Sequence, residues 1–165
     1  MEDQTDDMTA AEAQSDGEVF VSDYLLYLLA AASHAASAQF HSHVRDNGLR
    51  IAEWRVLACL SERDGQMITR LAQFALYEQS RLTRIIEKME EKGLVSRCPD
   101  ARDGRRVRVY LTDEGRAVTN RLVATARTHE AQLLSAGADA GSGQDLKAAL
   151  KALIAHLGAN VSEPE

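Results

Sequence analysis

The stretch from about Glu78 to Leu111 constrains this chain more than any other. At about 100° per residue, Leu82, Ile85, Ile86 and Met89 fall on one side of a helix running from about Glu78 to Lys92. Ser80, Thr83, Arg84 and Glu87 fall on the other. Gly93 ends that helix. Leu94 to Cys98 and Arg106 to Leu111 then read as two antiparallel strands, joined across Asp100–Arg105 by an Asp103-Gly104 turn. Arg102, Arg105 and Arg106 crowd the tip of this hairpin. A helix with one aliphatic side and one short polar side, leading into a basic hairpin, is the second half of a winged helix-turn-helix.

The flanking pattern completes that reading. Val21, Tyr24, Leu25, Leu28, Leu29 and Ala32 recur at helical spacing in an amphipathic helix from about Val19 to Arg45, stopped by Asn47-Gly48. At about 1.5 Å per residue it reaches about 38 Å, more than one small core needs, so part of it is expected to pack on a second subunit. Ala52 to Leu60 is a short second helix, closed by Asp64-Gly65. Met67-Ile68 makes a minimal strand, and Thr69 to Leu76 a third helix. After the hairpin, Thr112 caps a long fifth helix to about Leu134, with Asp113 and Glu114 at the positive end of its dipole. Ser135 to Gly143 reads as a loop. Ser142, with Asp145 three residues on, opens a last helix whose Leu146, Leu150, Leu153, Ile154 and Leu157 form an apolar stripe to Gly158.

The expected fold is mainly α with a small β-hairpin wing, a winged helix-turn-helix flanked by long N- and C-terminal dimerisation helices. The expected organisation is an acidic disordered tail (1–18), an N-terminal dimerisation helix (19–48), a DNA-binding lobe (49–111), C-terminal dimerisation helices (112–158) and a second tail (159–165).

The net charge of −6 argues against nucleic acid only until it is divided along the chain. Residues 1–23 hold eight acids and no Lys or Arg, whereas 81–108 hold nine bases against five acids. The region that would meet DNA is basic, and the N-terminal segment has the composition of a disordered tail. Short polar side chains on an exposed helix face suit the roughly 12 Å major groove, where base edges are read by hydrogen bonds. Gln79, Ser80, Arg81, Thr83, Arg84, Glu87 and Lys88 are the candidate contacts there, with Gln79, Arg81 and Lys88 flanking the face. On the wing, Arg102, Arg105 and Arg106 suit the negative potential of a narrow minor groove. Asp100 and Asp103 are expected to orient these guanidinium groups by charge-assisted hydrogen bonds.

From Glu53 to Gly115, the strings EWRVLACL, LTRIIEKMEEKGLVSR and DARDGRRVRVYLTDEG resemble the multiple-antibiotic-resistance regulator (MarR) family. The resemblance implies that Thr83 and Arg84 occupy recognition-helix positions. It makes Asp103 and Arg105 the wing's Asp-x-Arg, with Arg105 the minor-groove residue. It also implies that the first and last two helices interlock in a dimer. Arg50 departs from the pattern, standing where a Thr or Ser N-cap is usual. The implied activity is that of a cytoplasmic homodimeric repressor on a pseudo-palindromic double-stranded operator, released by a small aromatic or phenolic effector. His34, Phe40, His41, Trp54 and Arg55 are the candidates to line the effector cleft, because they combine aromatic surface with donors near the junction of the first two helices.

Other chemistry finds little footing. His34, His41, His43, His129 and His156 include no i, i+4 pair of the kind a helix offers to zinc, so no metal and no cofactor are expected. Cys59 and Cys98 lie far apart, and the longest apolar run, Tyr24–Ala32, is too short for a bilayer. GxGxxG, P-loop, GxSxG and HExxH motifs are all missing, which argues against an enzyme. The alternatives are a redox-responsive regulator using Cys98 beside the basic wing, and a winged-helix protein-interaction module without DNA binding.

Overall fold

The computed structural model describes residues 20–136 and 143–158. The acidic N-terminal segment, most of the expected Ser135–Gly143 loop, the Ser142 cap and the C-terminal tail lie outside them. The chain divides into two units, with the boundary after Ser37. In the first, the described residues other than Tyr24 are helical: α1 (Phe20–Asp23) and the opening turns of α2 (Leu25–Asp46). The helix expected from Val19 is thus interrupted at Tyr24, and Phe20, Val21, Leu25 and Leu26 are all more than half exposed.

The second unit holds the winged helix-turn-helix. α2 ends where Gly48 takes φ +72°; its amide donates to the Arg45 carbonyl and that of Leu49 to Val44. This reversal returns Leu49 to the core beside Val44. α3 (Ile51–Glu62) starts without a Ser or Thr cap: the Arg50 amide instead donates to Glu53 Oε2 at 2.8 Å. Glu53 is 2% exposed, and Lys92 Nζ lies 2.7 Å from its Oε1, so the buried carboxylate has a hydrogen bond and a counter-charge. α3 buries Val56, Leu57 and Leu60.

β1 (Gln66–Met67) leads into α4 (Ile68–Ala75), which buries Leu71, Ala72 and Ala75. A left-handed residue, Leu76 at φ 58°, ends α4 and turns the chain into α5 (Gln79–Glu91). Gly93 at φ +71° closes α5, and β2 (Val95–Pro99) and β3 (Val107–Leu111) follow. Their register runs from Val95↔Leu111 to Pro99↔Val107. β1 adds to the other edge of β3, pairing Gln66 with Val109, so the expected two-stranded wing has a three-stranded antiparallel base ordered β1-β3-β2.

α6 (Asp113–Ala136) is capped as expected: Thr112 Oγ1 accepts the Gly115 amide at 3.0 Å. It extends two residues past Leu134. Gly115 sits so close to β2 that a Cβ there would overlap the Leu94 carbonyl. That close approach lets α6 pack along α3, burying Thr119 and Leu122. α7 (Gly143–His156) closes the described chain, with Lys147 Nζ 2.8 Å from Glu130 of α6.

Candidate nucleic-acid interface

Leu82, Ile86 and Met89 of α5 are buried in the core, which leaves the opposite face outward. Gln79, Ser80, Arg81, Arg84, Glu87 and Lys88 are exposed, and Thr83 is half-buried with its hydroxyl donating to the Gln79 carbonyl at 2.9 Å. Glu87 is also drawn toward the wing: its Oε1 lies 3.5 Å from Arg97 NH1. Arg97 anchors more firmly on Glu90, with its amide 3.0 Å from Oε1 and its Nε 2.7 Å from Oε2. That hydrogen bond holds the Glu90 carboxyl below its ordinary pKa. Arg97 therefore ties β2 to the last turns of α5, a bracket that the sequence reading did not include.

Asp100 builds the wing's tip. Its Oδ1 accepts the amides of Arg102 (2.9 Å) and Asp103 (3.1 Å), and its Oδ2 pairs with Arg108 Nε. The Arg102 amide first, then Arg108, and the Asp103 amide to a lesser degree, lower its pKa. Arg108 also donates to the Gly65 carbonyl at 2.8 Å, fixing the hairpin to the turn before β1. Asp103 Oδ1 accepts the Arg105 amide at 3.1 Å, while its Oδ2 lies 3.2 Å from Arg106 Nε. Asp103 thus sets the Arg105 backbone and restrains the Arg106 side chain. The Arg105 guanidinium has no partner among the described residues. Arg105 and Arg106 line a cleft of about 380 Å³ with Met67, Ile68, Thr69, Gln79, Thr83 and Val107, which brings the wing's base and α5 to one surface.

The MarR family model matches residues 49–107. A MarR family transcriptional regulator from Silicibacter pomeroyi DSS-3, SPO1453, is 57% identical, with a TM-score of 0.76 over 85% of this chain and 99% of that one. The chain belongs to the MarR family. It is a DNA-binding transcriptional regulator with the MarR-like fold. The Escherichia coli homoprotocatechuate degradative operon repressor is 34% identical over 99 residues, 60% of this chain and 67% of that protein. Two MarR-like structures at 26% identity carry ligands. The repressor CouR is bound to a 23-mer DNA duplex (TM-score 0.70, 85% of this chain and 96% of that one). NadR is in complex with 4-hydroxyphenylacetate (TM-score 0.66, 81% and 91%).

Of the effector candidates in the second unit of this MarR chain, Phe40 and Trp54 come together and Arg55 faces elsewhere. Phe40 is buried, with its ring 5.2 Å from that of Trp54. Arg55, the next residue on α3, turns to the α4–α5 junction, where NH1 donates to the Ala75 carbonyl at 3.3 Å and Cζ lies 5.5 Å from the Tyr77 ring. His41 is half-buried, and His34 lies exposed in the first unit. The Phe40 ring has two further neighbours, His43 at 6.4 Å and His129 at 5.9 Å. His129 was not among the candidates. Its Nε2 is buried without a hydrogen-bond partner among the described residues, on a ring packed beside that of Phe40. A residue on α6, 75 positions from Trp54, leaves no local pattern in the sequence to mark it.

Cys98 is exposed on β2 opposite Arg108, and Cys59 is half-buried, its thiol pushed up to about 11 chiefly by burial and then by Glu62. Among the described residues there is no group of three or more metal-ligating side chains, and no helix is long and apolar enough to cross a membrane.

Proposed function

We propose that this regulator is a homodimeric repressor that holds a pseudo-palindromic operator with α5 and the wing, and releases it when a small aromatic acid binds. The observation that carries the DNA-contact reading is the pair of guanidinium groups, Arg102 and Arg105, without a partner among the described residues on a hairpin where Asp100, Asp103, Arg106 and Arg108 are tied to one another or to the backbone, beside the exposed polar face of α5. Thr83 and Arg84 meet base edges in the major groove, Gln79, Ser80, Arg81, Glu87 and Lys88 surround them, and Arg102, Arg105 and Arg106 bring the wing to the minor groove with Asp103 holding its frame. Residues 49–111 form the DNA-binding lobe; 19–48 and 112–158 supply the dimer. Exposed apolar side chains support the dimer on both sides: Phe20, Val21, Leu25 and Leu26 near the N-terminus, and Leu146 and Leu157 on and after α7.

The effector reading rests on the cluster of Phe40, Trp54 and His129, and on the aromatic chemistry named for two relatives. A phenol or carboxylate that entered this cluster would satisfy His129 Nε2 and stack on the indole. The test is a gel shift of the full chain on the region upstream of its own gene, with 4-hydroxyphenylacetate as the probe. Binding that the acid weakens, and that His129→Leu makes indifferent to the acid, supports the reading. Binding unaffected by the acid across a millimolar titration removes this effector class, and failure to shift any fragment removes operator binding.

A further inference from the structure

We infer that α5 stands between two phosphate channels, and that Arg50 holds one of the two DNA backbones from outside the helix and wing. The inference rests on the DNA-binding reading above and adds to it a residue and a role. The first channel is the cleft between α5 and the wing, lined by Gln79, Thr83, Arg105 and Arg106 among others. A second groove of about 430 Å³ follows the other flank of α5, lined by Arg50, Ser80, Arg81, Arg84, Ile85 and Lys88. On the wheel of α5, at about 100° per residue, Gln79 and Thr83 lie to one side of the exposed arc and Ser80, Arg84 and Lys88 to the other.

Four of the six residues lining the second groove are cationic and none is acidic. The carboxylate nearest to Arg50 in sequence, Glu53, is 2% exposed and already engaged by Lys92 Nζ and by the Arg50 amide, so it faces the core rather than the groove. Arg81 is held in place as well: its Cζ sits 4.8 Å from the centroid of the Tyr77 ring, a cation–π contact that limits where the guanidinium can swing. Such a concentration of uncompensated positive charge in a groove calls for a polyanion.

The geometry identifies which one. A helix lying in the major groove has a sugar-phosphate backbone on each side, and phosphate contacts set register and supply much of the affinity without reading sequence. Two cation-lined channels along the two flanks of one recognition helix match those two backbones. Arg50 comes 29 positions before Gln79, and at the start of α3 its backbone amide makes the capping hydrogen bond to Glu53, a contact that any residue but proline can make there. Its side chain is exposed and available to a phosphate.

Arg50→Ser separates this role from a structural one, because serine is a better helix N-cap than arginine. Wild-type and variant full chains would be titrated with one fixed mixed-sequence duplex over a range of salt concentrations, with melting followed in parallel. The expected result is a several-fold loss of affinity for Arg50→Ser and a salt slope shallower by about 0.9 for each chain bound. Its melting temperature should equal or exceed that of the wild type, and Arg50→Lys should keep the wild-type slope. If the wild type binds the duplex and Arg50→Ser keeps its slope, the second channel is overturned while DNA binding stands. A wild type that binds no duplex overturns both.

Discussion

At the scale of single residues, charge pairing decides which cations are available to DNA. Of the wing's arginines, Arg108 is committed to Asp100 and Gly65, and Arg106 is restrained by Asp103, whereas the Arg102 and Arg105 guanidinium groups have no partner among the described residues, and Arg105 alone of these two lines the cleft beside α5. Arg105→Ala should therefore weaken binding and flatten its salt dependence by about 0.9 in slope per chain, with no loss of thermal stability. An unchanged slope would move the wing off the DNA. Periodicity alone separated the buried Leu82, Ile86 and Met89 from the exposed Ser80, Arg84 and Glu87, because every one of those positions is set by the local helix. The long-range partners could not be read that way. Lys92 meets Glu53 across 39 residues, Arg97 reaches back to Glu87 and Glu90 across a chain reversal, and His129 comes to Phe40 from a different helix. Each depends on how helices pack, which no spacing rule encodes.

At the scale of elements, close approach and turn frames hold the reading surface in shape. Gly115 lets α6 start against the Leu94 carbonyl, so Gly115→Ala should cost about 1–3 kcal/mol, as expected for overpacking that the backbone must absorb. Chemical denaturation checks this, and a change within error would show that the α6 start can shift. The wing's frame should respond to acid. The Asp100 carboxyl titrates below its ordinary value, so its stabilising contribution is present above the unfolded pKa of about 3.9 and is lost as pH falls through the folded value. Melting curves from pH 7 to pH 3 should show wild type more stable than Asp100→Asn at neutral pH, with the gap closing at the acid end. A gap that is constant with pH would assign the effect to packing. The element boundaries themselves were largely legible from turn chemistry at Gly48, Gly65 and Gly93. Two exceptions have physical causes. The minimal strand expected at Met67-Ile68 forms one residue earlier, at Gln66–Met67, where pairing with β3 sets its bounds, and Leu76 adopts a left-handed conformation that its side chain gives no reason to expect.

At the scale of the whole molecule, a negatively charged chain belongs to a DNA-binding family because its charge is partitioned. The acids concentrate in the first 23 residues, and the bases in the region that carries α5 and the wing. On the homodimer proposed above, two copies related by a two-fold axis would present two α5 helices to successive major grooves. Hydroxyl-radical footprinting on the region upstream of the gene tests this most directly. The expected result is two equivalent protected patches related by symmetry, with centres about 10 to 10.5 base pairs apart, or a multiple of that. A single asymmetric patch protected by one chain would contradict it.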